Sequence, residues 1–594
     1  MSPQPGRNRH SRGDDPLGEG ASHSGDGNRV TCALLTVIAV AGLSVQIFTA
    51  ARLTPTHDEY WHLPIGLHMW QTGTFQQDLI NPPLVRQWAA FPLYLQGIRL
   101  PDREFTQESD YGDALLEAAS TNVLSLYWQG RVMIALISLV GYAIVCGLCW
   151  KAAGPTAGLL AGLLWMTDPN LTAHSSLVTH DLPATVGFLG VLLLLWQYTD
   201  HSHWFHTTLL GMALGLLQLT KFTGVLLVPL VVVWFVGMLF VRRFDNWRSQ
   251  VARLLAVLGV CLLVVQTGYF FTGLFQPWGE YQFQSARLQY LQSATGLVGW
   301  LPIPVPEAYL LGLDRLFAFM QLPQPVYLER AWSLGGFRDY YYKCWLYKTP
   351  HLLQLASVVG LVLLLRKTVA DRSSRLLILL TLPLGFVLCG LASGSANELG
   401  SRCLLPIYPF GIVYAACGLA CLLQQRSGRL LRPAALVSVV VVSLCSLRFA
   451  PDHLTYFNEL AGGPDAGRFL LVDSNLDWGQ SLHELQRITV ENDVKWDGLA
   501  YFGSYPPAHL EMNLPAPPSR MPAEGVYAVS LNFVQGRPHV IRNTEGDWRA
   551  VDLDEFGYFR FFDPVQFVGH SIAIYDLSAD DVNAYHQALN QWNQ

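Results

Sequence analysis

The chain has little charge for its length. Only 14% of its 594 residues are charged, whereas 51% are hydrophobic. A soluble domain carries about a quarter charged residues, so this composition excludes an ordinary soluble protein and predicts a membrane protein. The formal net charge of -6 provides no basic surface, and we predict no nucleic-acid partner.

The 10 cysteines show no spacing typical of a zinc site or of a disulfide framework. Cys146 and Cys149 stand three residues apart in an apolar run, which favours two small residues on one helix face. No cysteine follows Cys445 in the polar C-terminal stretch. The sequence therefore predicts no protein-bound metal or cofactor, although it leaves a divalent metal open.

Apolar runs long enough to cross a bilayer recur along the chain, about eleven in all. They cover residues 31–49, 127–150, 154–168, 181–198, 207–219, 224–241, 251–270, 351–365, 376–392, 403–423 and 433–445. We find no internal repeat of the kind that transporters show. The fold class predicted is mainly α, a polytopic bundle of membrane helices.

The basic residues between these runs predict an orientation. Arginines and lysines cluster before the first run and between runs six and seven, eight and nine, and ten and eleven. The positive-inside bias then places the N-terminus in the cytoplasm and the C-terminus outside. The loop 199–206 is a weak link, because it contributes only histidines. The long polar stretches 50–126, 272–350 and 449–594 all fall on the outer side.

The first functional candidate is a pair of adjacent carboxylates, Asp58 and Glu59, in THDEYWHL. They follow the first apolar run at the edge of the bilayer. Ionisable groups there cost free energy unless something uses them, so we interpret the pair, with its neighbour His57, as part of a site. The alternative is a solvated helix end in the headgroup layer.

Two other segments fall on the same side. In NPPLVRQWAAFPLYL, residues 81–95, the double proline stops any helix, and the rest fits an amphipathic helix in the interface. An ordinary loop helix packed on the bundle fits equally well. Asp181 is either a helix-initiating residue favoured by the helix dipole or, with His174 and His180, a group facing the outer cavity. We include Asn81, His180 and Asp181 among the candidate cavity residues.

Three cations, Arg131, Lys221 and Arg402, lie at the outer ends of apolar runs. Snorkelling to the interface explains any one of them. Their shared side is more informative, because the positive-inside bias disfavours Arg and Lys there. Cations facing carboxylates at the lipid boundary suggest that the site binds an anionic lipid headgroup, most simply a phosphate.

The chemistry suggested is sugar transfer from a polyprenyl phosphate. Departure of the phosphate needs positive charge aimed at it, and the attacking hydroxyl needs a base, which a carboxylate supplies. Direct displacement of this kind inverts the anomeric centre. No DxD motif of the kind that binds nucleotide sugars stands out, which favours a lipid-linked donor.

The chain resembles the GT-C superfamily of polytopic glycosyltransferases. It is most similar to the protein O-mannosyltransferase branch, glycosyltransferase family 39, with the lipid A aminoarabinose transferases as relatives. The resemblance covers most of residues 31–450. It is carried by THDEYWHLPIGLHMWQTG, NPPLVRQWAAFPL, HSSLVTHDLPAT, LGLLQLTKFTGVLLVP, YYKCWLYKTP and ELGSRCLLPIYPF.

The resemblance implies roles for individual residues. Asp58 would be the base for the acceptor hydroxyl, and Glu59 would position the acceptor or the sugar. Arg131 and Lys221 would contact the lipid phosphate, and Arg402 would act similarly. Mannose is the sugar that the family favours, and protein Ser/Thr hydroxyls are the first choice of acceptor, ahead of a glycolipid or a cell-wall glycan.

The domain organisation expected is a disordered cytoplasmic tail at residues 1–29, a GT-C membrane domain at 30–449 and a small extracytoplasmic α/β domain at 450–594. In the last region acidic residues outnumber basic ones, GVYAVSLNFV and HSIAIYDL are typical of strands, and SLHELQRI is typical of a helix. There is no sign of the β-trefoil insertion that eukaryotic protein mannosyltransferases carry, which favours a bacterial inner-membrane enzyme.

Two other classes of function are considered. A transporter or flippase of lipid-linked sugars would need charged or discontinuous helices at mid-membrane, whereas here the ionisable residues gather at the ends of runs. If the chain were a structural scaffold, the acidic pair and the outer cations would lie on the same side of the membrane only by coincidence. The prediction is therefore an inverting membrane glycosyltransferase.

Overall fold

The structure, a computed structural model, describes residues 20–119, 122–198, 203–241, 247–367, 398–424 and 446–592, with the single positions 433, 437, 440, 441, 443 and 444. The predicted span 376–392 and most of the predicted span 433–445 lie outside these residues. Helix α1 begins at Gly20, inside the stretch 1–29 for which the composition predicts disorder.

Helices make up most of the chain before residue 450. They are α1 (Gly20–Arg52), α2 (Glu59–Thr72), α3 (Leu84–Leu95), α4 (Glu108–Ala118), α5 (Val123–Ala153), α6 (Pro155–Thr167), α7 (Pro169–Ser175), α8 (Asp181–Tyr198), α9 (Trp204–Thr220), α10 (Leu227–Val241), α11 (Trp247–Gly268), α12 (Ala286–Ala294), α13 (Glu307–Phe319), α14 (Tyr340–Lys348), α15 (His351–Lys367) and α16 (Tyr408–Gln424). A 3-10 turn, Ser401–Ile407, leads into α16. Two short hairpins pair β1 (Gln276–Pro277) with β2 (Pro302–Ile303) and β3 (Val326–Leu328) with β4 (Ala331–Ser333).

Six of the described helical segments are long and apolar enough to cross a membrane, or seven if the bent pair α14 and α15 forms one span. The protein is therefore an integral membrane protein. The predicted spans that fall within the described residues are helical. Two of them, α6 with 13 residues and α9 with 17, are shorter than a bilayer crossing usually needs, so the count of eleven stays a prediction.

Helix α5 lies at the centre of the membrane part and packs against α1, α3, α6 and α8. It begins where the side chain of Asn122 accepts a hydrogen bond from the backbone N–H of Ser125, which satisfies one free donor of the first turn. Helix α2 ends at Gly73, whose φ of 68° is a left-handed conformation that glycine adopts without a Cβ clash. The turn between α1 and α2 is held against α5 by Arg131, which donates to the carbonyls of Leu53 and Thr54.

The C-terminal segment, residues 450–592, contains both helices and strands. These are α17 (Gly463–Gly467), α18 (Leu482–Asn492), α19 (Leu531–Val534), α20 (Ala579–Trp592), β5 (Gly498–Ala500), β6 (Gly525–Ser530), β7 (His539–Arg542), β8 (Trp548–Val551), β9 (Gln566–Val568) and β10 (Ile572–Leu577). Four strands form a sheet in the order β5-β6-β10-β9, with β5 parallel to β6 and the other pairs antiparallel. Strands β7 and β8 form a separate hairpin. The predicted strands and helix of this region match β6, β10 and α18, except that the last four residues of GVYAVSLNFV form the helix α19 because the side chain of Ser530 caps it by accepting from the backbone N–H of Asn532.

The C-terminal segment contacts the start of α2 directly. The backbone N–H of Thr54 donates to the carbonyl of Gln480 at 2.9 Å, and that of His57 donates to the carbonyl of Trp478 at 2.8 Å. The ammonium of Lys348, at the end of α14, donates to the carbonyl of Asn475 at 2.7 Å. Residues 473–480 therefore lie over the acidic pair that the sequence singles out.

Candidate functional site

Asp58 and Glu59 point to different neighbours. Asp58 occupies the N-cap position of α2 without capping it, and Glu59 is the first helical residue. Because consecutive residues of a helix lie about 100° apart around its axis, the two carboxylates diverge. The side chain of Asp58 is 24% exposed, whereas that of Glu59 is fully buried. They do not act as one pair.

Glu59 forms a buried ion pair with Arg131 of α5. Its carboxylate accepts from Arg131 Nε at 2.9 Å and Nη2 at 2.8 Å, from the backbone N–H of Val178 at 2.6 Å and from that of Thr56 at 2.9 Å. Every oxygen of the carboxylate therefore has a partner. This arrangement fixes the turn before α2 to α5 and to the segment before α8.

Arg131 uses all five of the N–H donors that a guanidinium has. Besides Glu59, it donates to the backbone carbonyls of Ala50, Leu53 and Thr54 at 2.7–2.9 Å, and its side chain is 1% exposed. The sequence places Arg131 on the donor phosphate and Glu59 on the acceptor or sugar. Both roles stay predictions; in the structure, neither side chain has a free polar atom or an exposed surface to offer a substrate.

Asp58 is paired instead with Arg402. The Nη1 of Arg402 donates to Oδ2 of Asp58 at 2.9 Å, and the two side chains are 14% and 24% exposed. Arg402 lies in the turn Ser401–Ile407, where its Nε donates to the carbonyl of Leu399 at 3.1 Å. Its guanidinium also stacks on the ring of Trp478, 4.4 Å from the centroid. The ion pair is mostly shielded from solvent, and a part of each side chain remains accessible.

A second ion pair joins Lys221 to Asp181. The Nζ of Lys221 lies 2.6 Å from Oδ1 of Asp181, and the lysine side chain is 26% exposed. Lys221 has extended backbone between α9 and the following 3-10 turn, and Asp181 is the first residue of α8. Asp181 thus begins a helix, as the first alternative expects, whereas its place in an outer cavity with His174 and His180 stays a prediction.

The two ion pairs are neighbours. Arg402 interacts electrostatically with Asp181 as well as with Asp58, and Lys221 interacts with Arg402. We call Asp58, Arg402, Asp181 and Lys221 the charged cluster. It contains two cations and two carboxylates, and the cations are accessible. The side chains of Lys221 and Arg402 are 26% and 14% exposed.

Histidines with buried rings surround the charged cluster. The rings of His62 and His180 lie 4.8 Å apart, and burial lowers the pKa of both well below the ordinary value. Among the described residues, Nδ1 of His62 and Nε2 of His180 have no hydrogen-bond partner. Burial also lowers the pKa of His174 to about 4. These imidazoles are neutral, so they add hydrogen-bonding atoms rather than charge.

His57 and Asn81, predicted to line the cavity, have structural contacts. Nδ1 of His57 lies 2.7 Å from the hydroxyl of Ser504, and burial lowers the pKa of His57, an effect that Asp58 partly offsets. Asn81 donates to Asp78 at 3.1 Å, and its carbonyl accepts from Arg86. His57 therefore lies beside the charged cluster, whereas Asn81 holds the loop before α3.

Helix α3 corresponds to the second segment that the sequence singles out. It begins at Leu84, directly after the double proline, and packs on α2, α5 and α9. Arg86 is fully buried and its Nη1 lies 3.3 Å from Oδ2 of Asp78. Of the two alternatives, the helix packed on the bundle is the one observed, although Trp88 remains 39% exposed.

Trp478, Asp473 and Arg537 belong to the site but are not among the predicted residues. Asp473 pairs with Arg537 at 2.5 Å and interacts electrostatically with Arg402 and His57. Burial acts to raise the pKa of Asp473, yet the guanidinium of Arg537 lowers it below its ordinary value. The signal in the sequence is the string DSNLDWGQ, whose polar residues turn formation explains better than a calcium-binding loop does.

No cluster of three or more His, Cys, Asp or Glu side chains that could hold a metal ion occurs within the described residues. In the string Asp473, Asn475 and Asp477, the last two side chains form hydrogen bonds within the fold rather than a metal site. Asn475 accepts from the backbone N–H of Ser401 at 2.8 Å, and Asp477 accepts from that of Gly479 at 2.8 Å. The charged cluster therefore remains the candidate site among the described residues.

Comparison with known proteins gives one family match. Residues 116–269 match the family described as dolichyl-phosphate-mannose-protein mannosyltransferase. This segment includes α5, the cluster residues Asp181 and Lys221, and the buried Arg131. The match confirms, over these residues, the resemblance to the protein O-mannosyltransferase branch of the GT-C superfamily. No curated protein matches the chain.

Among solved structures, the chain is similar to ArnT from Cupriavidus metallidurans bound to undecaprenyl phosphate. Identity is 13% and the TM-score is 0.45, over 86% of this chain and 96% of that chain. It is also similar to the archaeal oligosaccharyltransferase AglB from Archaeoglobus fulgidus, in complex with an inhibitory peptide and a dolichol-phosphate. There identity is 11% and the TM-score is 0.47, over 89% of this chain and 74% of that chain.

Proposed function

We propose, from the match of residues 116–269 to the dolichyl-phosphate-mannose-protein mannosyltransferase family and from the charged cluster, that the chain is an inverting membrane glycosyltransferase. It moves a sugar, mannose in the first instance, from a polyprenyl phosphate to an acceptor hydroxyl. Protein Ser/Thr hydroxyls are the proposed acceptors. The orientation proposed remains N-terminus in the cytoplasm and C-terminal segment outside, in a bacterial inner membrane, with about eleven spans.

Arg402 and Lys221 are the proposed ligands of the donor phosphate. Both are accessible cations at the ends of helical segments, and each is held in place by a carboxylate. A guanidinium binds a phosphate through two parallel hydrogen bonds, and an ammonium adds a point charge. As the bond between the anomeric carbon and the phosphate oxygen breaks, the growing negative charge is stabilised by these two groups.

Asp58 is the proposed base. The acceptor hydroxyl oxygen attacks the anomeric carbon, its proton passes to the carboxylate of Asp58, and polyprenyl phosphate departs from the opposite face. Arg402 pairs with that carboxylate at 2.9 Å. A donor phosphate that draws the guanidinium toward itself would free Asp58 for the proton. The contact between Asp58 and Arg402 is the single observation that carries the proposal.

The test is sugar transfer by membranes that contain the full chain. Radiolabelled polyprenyl-phosphate mannose is supplied, and the wild type is compared with Asp58→Asn and with Asp102→Asn, an exposed aspartate of the same connecting segment. Loss of a general base lowers the rate by about 10²–10⁴-fold. We expect that loss for Asp58→Asn and unchanged transfer for Asp102→Asn. Equal transfer by both variants would remove Asp58 from the mechanism.

A further inference from the structure

A cavity separate from the charged cluster lies between α4 and the C-terminal segment. Its volume is about 400 Å³, within the range of roughly 300–1,000 Å³ typical of ligand sites. One wall is the face of α4 that carries Asp113 and Glu117. The opposite wall consists of residues 506–509, 512–514 and 542–546, the last being the tip of the hairpin β7–β8. These residues take no part in the proposed sugar transfer.

The wall of α4 is tied to the residue two positions after Asp58. The hydroxyl of Tyr60 donates to Asp113, and the same carboxylate accepts from Nη2 of Arg542 at 2.9 Å and 3.1 Å. The ring of Tyr60 packs so closely on α4 that a Cβ at Gly112 would lie 2.2 Å from a ring carbon. The position of this wall is therefore coupled to the start of α2.

The opposite wall is tied to the residue before Asp58. Ser504, whose hydroxyl lies 2.7 Å from Nδ1 of His57, is followed within three residues by the lining residues Pro506 and Pro507. Both walls are thus anchored to residues that flank Asp58.

The lining selects the charge of the ligand. It contains the acids Asp113, Glu117 and Glu545 and one cation, Arg542, which Asp113 already pairs. Glu117 and Glu545 are exposed, and Glu117 forms a surface ion pair with Arg103 at 2.9 Å, which is weak enough for a ligand cation to displace. Leu116, Pro506, Pro507, Met512 and Leu514 supply aliphatic surface. Aliphatic surface next to carboxylates suits the stems and heads of lysine and arginine side chains, and it disfavours a phosphate.

A second observation points to a peptide. Arg542 is about nine-tenths buried, and its Nε–H has no hydrogen-bond partner among the described residues. A buried donor without a partner costs free energy, so a ligand that supplies an acceptor such as a carbonyl oxygen would be stabilised here. A polypeptide offers that carbonyl in the same ligand that offers the basic side chain.

We infer that this cavity binds the non-reacting part of the acceptor, a polypeptide segment with lysine or arginine near the hydroxyl to be glycosylated. The inference rests on the proposed glycosyltransferase function, of which it names the acceptor. The acceptor enters from the side of α4 and the hairpin β7–β8, whereas the donor phosphate binds at Arg402 and Lys221. The two substrates approach Asp58 from different directions.

The experiment measures binding of two fluorescein-labelled decapeptides to the full chain in lipid nanodiscs. They share a central threonine and differ only in flanking lysines or flanking glutamates. We expect the lysine peptide to bind at least tenfold more tightly. The double variant Glu117→Lys/Glu545→Lys should lose at least tenfold of that affinity, and Glu524→Lys, an exposed acid outside the cavity, should bind as the wild type does.

Equal binding of the two peptides, or unchanged binding by the double variant, would overturn the inference. Asp58→Asn separates it from the proposed function, because that variant should bind the lysine peptide normally and fail to transfer sugar. Absence of transfer by the wild type with intact, charge-selective peptide binding would overturn the proposed activity alone. Transfer that proceeds with equal binding of both peptides would overturn the cavity assignment alone.

Discussion

At the scale of single residues, the neighbouring acids Asp58 and Glu59 have opposite properties. Glu59 is fully buried and saturated with hydrogen bonds, whereas Asp58 is accessible and meets one guanidinium. A buried, fully paired charge stabilises a fold only as long as its partner remains. An accessible carboxylate beside one cation can exchange that cation for substrate. The contacts of Glu59 are those of a structural residue, and the catalytic role proposed here is that of Asp58 alone.

Glu59→Gln is expected to lower stability rather than to act on the substrate. The change leaves the guanidinium of Arg131 buried without a counter-charge, which costs about 3–5 kcal/mol. We expect a clear fall in the midpoint of thermal unfolding of the protein in detergent. The double change Glu59→Leu/Arg131→Met should recover part of it, since no lone charge remains. A stable Glu59→Gln protein that has lost sugar transfer would contradict this assignment.

Arg402→Lys tests the proposed phosphate ligand. Lysine keeps the charge but not the planar fork or the stacking on Trp478. We expect the donor concentration for half-maximal transfer to rise about tenfold, equivalent to ~1.4 kcal/mol of binding. Arg520→Gln, at an arginine whose side chain is 58% exposed, is the matched control. Unchanged donor dependence in Arg402→Lys would exclude Arg402 as the phosphate ligand.

At the scale of elements, the site is built where helices begin and end. Asp58 precedes α2, Asp181 starts α8, Lys221 follows α9, and Arg402 lies in the turn before α16. Charged side chains at helix ends reach the interface, where water lowers the cost of their charge. The interior of the bundle can then remain apolar. This arrangement places polar chemistry at one edge of a membrane protein.

The imidazoles of His62 and His180, on α2 and just before α8, predict a pH dependence of stability. Burial lowers both pKa values below the ordinary value of about 6.5. The unfolded chain therefore binds more protons than the folded protein below that pH, so stability falls as the solution is acidified. Each histidine contributes at most about 1.4 kcal/mol per pH unit. Burial raises the pKa of nearby Asp78, which has the opposite effect.

The measurement is the midpoint of thermal unfolding between about pH 7.5 and 5. The wild type should lose stability below about pH 6.5, and His62→Gln/His180→Gln should show a shallower decline because two of the titrating groups are gone. His586→Gln, at an exposed position of α20, serves as control. A decline of equal slope in the double variant would show that other groups cause it.

At the scale of the whole molecule, the C-terminal segment completes the site. Trp478 covers the guanidinium of Arg402 and accepts, through its carbonyl, the backbone N–H of His57. Lys348 joins α14 to the same segment through the carbonyls of Leu454 and Asn475. Contacts from the C-terminal segment are therefore needed to keep Asp58 paired with Arg402.

Trp478→Leu and Trp478→Phe test this contribution. A phenyl ring keeps an aromatic face over Arg402, whereas leucine fills space without one, and the stacking accounts for roughly 0.5–2 kcal/mol. We expect Trp478→Leu to weaken donor binding about 3–30-fold and Trp478→Phe to retain most of it. Trp592→Ala, at a tryptophan that is 89% exposed, should have no effect. Equal donor binding by the leucine and phenylalanine variants would argue against the stacking.

The sequence by itself determined the membrane character, the helices of the bundle, the strands β6 and β10, and the family resemblance. These follow from composition and local periodicity, which neighbouring residues carry without reference to the rest of the chain. It also singled out Asp58, Lys221 and Arg402, because charged groups at the ends of apolar runs are unusual.

Only the tertiary structure decided which charges pair. It buried Glu59 with Arg131, and it brought Asp58 to Arg402, 344 residues away, under Trp478. Adjacent residues at the start of a helix point in different directions, so their partners depend on what packs on each side. Packing of distant segments fixes those partners, and no local pattern of residues encodes it.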